Sequence, residues 1–446
     1  MSEVRPAHLI GLARFLAGCR FDDLPEVVVD QAHYVTADTI AAIAAGSAEP
    51  EIRALTERLA GERGDATVIG AERRTSAATA ALLNGTAGTA LEMDEGNRFA
   101  RGHPAIHCLP AALASAETEG QSGRDLLTAF VLGYEVGARL GIASELRPQM
   151  HMHGTWGTVG AAVAVGKLAR FDVEKFAELI NIASTLSLAT SMKTALEGGT
   201  VRNIYAGMSN RMGLLAHDLA LSGFTGERDG LASIYGSVVS ERFDPQALTA
   251  DLGSSWQITR NYFKRHGCCR YNHGALDALL MLMAQAGPIE PNQIAEVVVD
   301  TYGIAATLDD PEPHNVLAAK FSLPFAIATT LTHASSGMAS FTPEALCDEE
   351  TRALARRVRV REDEALTAEL PRFRPARVRI ALRDGRALAA ETRTNRGDDT
   401  DPYDRVELTE KFFELTARVW SRSRAEAVYR SLFSLEERRS VVGLLG

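Results

Sequence analysis

The stretch Ile294-Ala-Glu-Val-Val-Val-Asp-Thr-Tyr302 decides how this chain divides. Its β-branched run reads as a strand, and the text before about residue 262 does not read that way. Downstream the strand signal returns: Val378, Ile380 and Leu382 alternate with polar or small residues up to Asp384-Gly385, and residues 387–394 run on in extended style. Together these predict a β-hairpin with a type I′ turn. Residues 318–333 and 343–357 read as helices between the strands. Residues 262–399 are therefore expected to form an α+β domain.

Upstream the chain is Ala-rich and helical in period. Ile106, Leu109, Leu113 and Ala116 recur at steps of three and four behind Pro104, which suits a first helical turn. Leu127, Phe130, Tyr134 and Ala138 form a second stripe; Met208, Met212, Leu215 and Leu219 form a third, closed by Gly223. Each stripe is read as core packing. Residues 407–445 return to helix, with Phe412, Leu415 and Val419 on one face. The expected fold class is mainly α: a large all-helical domain over 1–261, completed by 400–446, and a smaller α+β lid over 262–399.

The chain has 446 residues, 46% of them hydrophobic, with 47 Lys+Arg against 57 Asp+Glu for a net charge of −10. That is enough to bury cores without staples, and it excludes a disordered or fibrous chain. The acidic balance argues against broad nucleic-acid binding, so any cationic site must be local. Five cysteines (Cys19, Cys108, Cys268, Cys269 and Cys347) are too few and too odd in number for a disulfide framework, which suggests a reducing cytosol. With no apolar start of signal-peptide length and no run approaching about 18 apolar residues, a soluble, cytoplasmic protein with no membrane partner is expected. A P-loop, a GxGxxG after a strand, a CxxC pair and an HExxH are all missing from the sequence, so neither a cofactor nor a metal is implied.

Candidate chemistry lies in five segments punctuated by glycine. The first holds Glu92, Asp94 and Glu95, then His103-Pro104 at a helix start, where the positive end of the helix dipole favours a neutral imidazole and bound anions. The second, His151-Met-His153-Gly-Thr-Trp-Gly-Thr-Val-Gly160, has Gly154, Gly157 and Gly160 at three-residue steps, allowing close approach to either a ligand or a neighbouring helix. The third contains Arg202, a fork for a carboxylate, and Tyr205, a hydroxyl able to exchange a proton. The fourth is the densest: Lys264, His266, Cys268, Cys269, Arg270 and His273 supply the local positive site that the net charge demanded. Adjacent cysteines diverge and make a poor metal pair. The fifth is Lys320-Phe-Ser-Leu-Pro324-Phe325, where core packing is the default.

In this order the motifs resemble the MmgE/PrpD family over nearly the whole length. The carriers are Thr36-Ala-Asp38, residues 84–95 with His103-Pro104, residues 133–139, 151–160, 202–226 and 264–277, and Lys320 through Pro324. The resemblance implies a homodimer of helical bodies with α+β lids, and a cofactor-free site between body and lid acting on small di- and tricarboxylates. Members include 2-methylcitrate dehydratase, cis-aconitate decarboxylase and iminodisuccinate epimerase. It also implies that His103, His151, Lys264 and His273 line the site. Arg202 and Tyr205 stand where several members carry Lys and His, Cys269 replaces a second His, and Phe325 replaces a pocket Tyr.

A carbon acid beside a carboxylate needs a poised base and cations at the developing enediolate. His103, His151, Tyr205 and Lys264 are the expected catalytic groups; Asp94, Arg202, His266, Cys269 and His273 are the expected substrate-binding groups. Loss of the decarboxylase-type His and Tyr, with Tyr205 among cations, points to a two-base epimerase of an iminodisuccinate-like dicarboxylate. A 2-methylcitrate-type dehydratase and a non-catalytic carboxylate binder are the alternatives.

Overall fold

In the computed structural model, which describes residues 5–287 and 289–445, the first part of the chain is mainly helical but not all-helical as expected, since Ala66–Val68 pairs with Arg73–Thr75 and Ser144–Leu146 with Ser240–Phe243. Gly123–Ala143 starts at a capping box in which Ser122 and Asp125 bond each other's backbone N–H groups. Leu127, Phe130, Tyr134 and Ala138 are fully buried, and so is nearly every other face of this helix, which makes it a central core element. It is long and apolar enough to cross a membrane, yet 94% of its most apolar window is buried within the protein. Glu135 and Arg139 on it pair at 2.6 Å in the interior. Pro104–Glu119 and Gly157–Leu168 pack around it. A methyl group on Gly160 would come within 2.8 Å of the Gly133 carbonyl, so these glycines serve helix contact.

The third expected stripe is turned the wrong way. Ile204–Leu221 buries Ala206, Gly207, Ser209, Asn210, Gly213 and Ala216, while Met208, Met212 and Leu219 are half-exposed and Leu215 is 41% exposed. The reason is distance: a methyl on Gly207 would lie 2.3 Å from the Leu82 carbonyl, and one on Gly213 would lie 2.5 Å from Ala161 Cβ. Only small side chains fit inward there.

One hydrophobic cluster joins Leu9, Phe130 and Trp156 to Phe412, Leu415 and Leu432, so the C-terminal helices Arg405–Thr416 and Arg422–Leu432 pack into the N-terminal body. A second cluster contains Leu276, Leu279, Val297, Val299, Phe325, Ile327, Val378 and Ile380. It lies against a four-stranded sheet ordered Ala387–Thr392, Ala376–Leu382, Ile294–Thr301, Val358–Glu362, with only the last pair parallel. Ile294–Thr301 is thus a central strand, and its β-branched run is explained by neighbours on both edges.

Three local expectations need correction. The hairpin turn is not type I′: Leu382 N–H donates to the Arg386 carbonyl and Gly385 N–H to the Leu382 carbonyl, and of the loop residues only Gly385 has positive φ, at 89°. A type I′ turn needs two such residues, whereas a three-residue loop with glycine last needs one. The helix expected over 318–333 is broken into Val316–Lys320 and Leu323–His333, because Ser322 caps the second through Phe325 N. Likewise Asp348 caps Glu349–Ala355 and separates it from Pro343–Cys347.

Candidate active site

The site begins with a two-residue ladder. Gly96–Asn97 pairs antiparallel with Asn261–Tyr262, with Gly96 opposite Tyr262. Extending that register by two residues sets Asp94 opposite Lys264, and Lys264 Nζ lies 3.6 Å from Asp94 Oδ1. Two segments 170 residues apart in sequence are thereby joined by backbone pairing. Glu92, held at φ 56°, turns its carboxylate to Lys264 at 3.1 Å and to Arg202 at 2.5 Å. Asn97 then pins the following loop, its Oδ1 accepting from Phe99 N and Ala100 N, and so delivers His103 to the N-terminus of Pro104–Glu119. His103 Nδ1 lies 2.9 Å from Asp94 Oδ2 and 2.7 Å from the Glu95 carbonyl.

The result is a buried chain of alternating charge, Arg202–Glu92–Lys264–Asp94, with the His103 imidazole at its end. Burial alone would push both carboxyls up, but Arg202 and Lys264 hold Glu92 below the usual carboxylate range, and His103 and Lys264 do the same for Asp94. Glu92 and Asp94 in turn outweigh burial at Lys264 and hold its ammonium above the usual lysine value. Lys264 is therefore a fixed cation with two counter-charges. One residue further on, Glu95 has no such partner, and burial pushes its carboxyl well up.

A cavity of about 370 Å³ opens beside this chain. Its wall includes Glu92, His103 and Arg202 from the chain, together with His151, His153, Tyr262, Cys269 and Phe321. His153 is 1% exposed, and neither ring nitrogen has a hydrogen-bond partner among the described residues. Its ring sits 4.8 Å from that of His103, 4.7 Å from His107 and 4.9 Å from His151. Burial, with the Arg202 charge and the neighbouring imidazoles, pushes His153 and His151 well below the ordinary histidine value. His107 is pushed down to about 4 by burial; its Nδ1 faces the His103 carbonyl at 2.8 Å and its Nε2 accepts from Gly154 N. His151 Nδ1 accepts from His153 N, leaving its Nε2 for the cavity.

The glycines of this segment shape it rather than touch a ligand. Gly154 stands at φ 88°, which favours glycine, and a methyl on Gly157 would meet the His107 ring at 2.3 Å.

Of the residues expected from sequence, His103, His151, Arg202 and Cys269 reach the cavity wall. Asp94 and Lys264 lie directly behind it, through Glu92 and His103. Tyr205 is half-buried against His151, ring centroids 5.9 Å apart, and is not part of the wall. His266 and His273 meet edge to face behind the wall, ring centroids 4.6 Å apart. His266 is held by Ser336 and Asp277, while His273 is held between Arg270 and the Cys268 carbonyl. His273 accepts from Arg270, which reaches the wall. Phe325 is packed in the second core, whereas Phe321 of the same core reaches the cavity wall beside Tyr262 and Tyr271. Sequence reading left the role of His153 open and passed over Arg101, Tyr262 and Arg374. The first had a signal in its place beside His151 and before Gly154; the arginines had none, being two among many.

The N-terminal domain model of the MmgE/PrpD family matches residues 11–244, and its C-terminal domain model matches 266–434. Curated relatives include a cis-aconitate decarboxylase of Aspergillus terreus, 24% identical over 95% of this chain and 92% of the relative. The cis-aconitate decarboxylase-like protein oryM of Aspergillus oryzae is 26% identical over 97% of this chain and 95% of its own length. The chain therefore belongs to the MmgE/PrpD family.

Proposed function

We propose that this protein is a cofactor-independent epimerase that removes and returns the proton α to a carboxylate of a small amino or imino dicarboxylate, with iminodisuccinate as the model substrate. The observation that carries the reading is the His153 imidazole, buried in the cavity wall, neutral, and without a hydrogen-bond partner on either nitrogen among the described residues. Such a group is a base already stripped of water. It takes the α-proton and becomes an imidazolium, while the electron pair moves onto the carboxylate as an enediolate. Arg202, on the same wall and paired with Glu92, keeps an Nε–H without a partner among the described residues and donates it to the enediolate. A second group then returns a proton to the other face of the carbon. His151 and His103 stand on the body side of the cavity; Cys269, whose thiol burial pushes up to about 11, enters from the segment that leads into the second core as a neutral donor. Lys264 and Asp94 orient His103 and Glu92 from behind. Closure of the α+β part as a lid, and assembly as a homodimer, belong to the same reading.

The test is incubation of one enantiomer of iminodisuccinate with the protein in heavy water. Uptake of deuterium at the α-carbon together with loss of optical rotation is expected; no exchange and no racemisation would sink the reading. A lyase reading is favoured by the names of the relatives, which are decarboxylases. It predicts carbon dioxide release from cis-aconitate or, for a dehydratase, rising ultraviolet absorbance from a 2-hydroxy tricarboxylate.

A further inference from the structure

The cavity wall carries four arginines, and they fall into two kinds. Arg202 is neutralised by Glu92. Arg270 is neutralised by Asp398 at 2.7 Å and also donates to the Arg396 carbonyl and to His273 Nδ1. Arg374 and Arg101 differ. Arg374 is 5% exposed, and its one hydrogen bond among the described residues runs to the Arg98 carbonyl at 3.3 Å. No carboxylate among the described residues lies within ion-pair distance of it, Asp398 acting on it only from further off while paired with Arg98 and Arg270; the rings of Tyr271 and Tyr262, with its Cζ at 5.4 and 5.9 Å from their centroids, hold it in place. Arg101 stands at the rim in the left-handed backbone region, φ 55°, and has no side-chain partner among the described residues.

A desolvated guanidinium without a counter-charge is unfavourable, and a non-glycine residue at positive φ persists only where its surroundings require it. Both residues line the same cavity, and both act electrostatically on Tyr271. We infer that Arg374 and Arg101 form the anchor for a second, non-reacting carboxylate of the substrate, and thereby select dicarboxylates over monocarboxylates. Tyr262 links this end of the cavity to the reacting end, since its ring centroid lies 6.2 Å from that of His103. A carboxylate forked by Arg374 thus leaves the remainder of a short carbon chain against the imidazoles. The cations that the sequence singled out, Arg202 and Lys264, are occupied by Glu92 and Asp94. The uncommitted positive charge that receives the substrate sits on Arg374 and Arg101.

The inference rests on the polycarboxylate reading of the site, but binding tests it separately from turnover. Isothermal titration of the full-length protein with succinate, and with butyrate as the same chain lacking one carboxylate, is expected to show a clear preference for succinate. Arg374→Gln should weaken succinate about ten-fold or more and abolish the preference, the loss typical of a charge-assisted hydrogen bond. Arg374→Lys should restore part of it. Arg101→Gln, at an exposed position where folding is not at stake, should reduce the preference by a smaller factor. A wild-type protein without preference for succinate overturns the assignment, as does an unchanged preference in both glutamine variants. Absence of α-proton exchange alongside an intact, arginine-dependent preference would instead remove the epimerase reading and leave the anchor standing.

Discussion

At the scale of single residues, His151 and His153 are the bases of the proposed reaction, and both are buried with no ion pair among the described residues. His151 and His153 are driven below the ordinary histidine value of 6.5, so their basic form persists into acid. The acid limb of kcat/KM is therefore expected below pH 6.5, and a limb above it would exclude them as the base. His153→Asn should lower kcat by about 10²-fold or more, the usual weight of a general base. His107 belongs to the same cluster but is engaged on both nitrogens, so its effect is on stability. The unfolded chain takes up its proton near pH 6.5 and the folded chain only near 4, so this contribution is complete above 6.5 and is lost as pH falls from 6.5 towards 4. Between pH 7 and 5 the loss amounts to about 2 kcal/mol. Urea unfolding of His107→Asn at the two pH values should show a correspondingly smaller drop; an equal drop would refute the assignment. The sequence made the histidines visible but not which of them lack partners, because that depends on carbonyls and rings supplied from distant segments.

At the scale of elements, the short ladder between Gly96–Asn97 and Asn261–Tyr262 shows what was and was not legible. Both flanking motifs were readable as charged segments, yet two-residue strands carry no periodicity, so the register that places Lys264 opposite Asp94 was invisible. The long helices and the Ile294–Thr301 strand were legible because apolar period or β-branching extends over many residues. Breaks such as Ser322 were missed because a single capping side chain ends one helix and begins the next. The helix Arg405–Thr416 was legible, but not its polar contact: Lys411 is 1% exposed and bonds Asp38 at 2.5 Å and the Met93 carbonyl at 2.8 Å. The C-terminal helix thus fastens the turn that carries Glu92 and Asp94. Lys411→Met should leave Asp38 buried and unpaired, costing about 3–5 kcal/mol in urea unfolding. A variant as stable as wild type would show that this contact is dispensable.

At the scale of the whole molecule, the net charge of −10 and the inverted helix Ile204–Leu221 together bear on assembly. Because Gly207 and Gly213 sit against neighbouring backbone and Cβ atoms, the helix spends its small residues inward and its large apolar ones outward. Leu215, Leu221 and Phe224 are 41%, 58% and 60% exposed along it and just beyond its end. Acidic copies repel one another, so an association between them has to be driven by exposed apolar side chains such as these. The proposed homodimer seats a second copy of this chain on that face, and equilibrium sedimentation is then expected to yield twice 48.0 kDa. Introducing Leu221→Asp with Phe224→Asp places two charges at the contact of each copy, and the mass should fall to that of one chain. The cavity lies elsewhere on the subunit, so succinate affinity in the double variant should remain within about two-fold of wild type, well under one tenfold step in binding energy. A double variant that still sediments as a dimer would move the interface to another face, and a wild-type monomer would remove it.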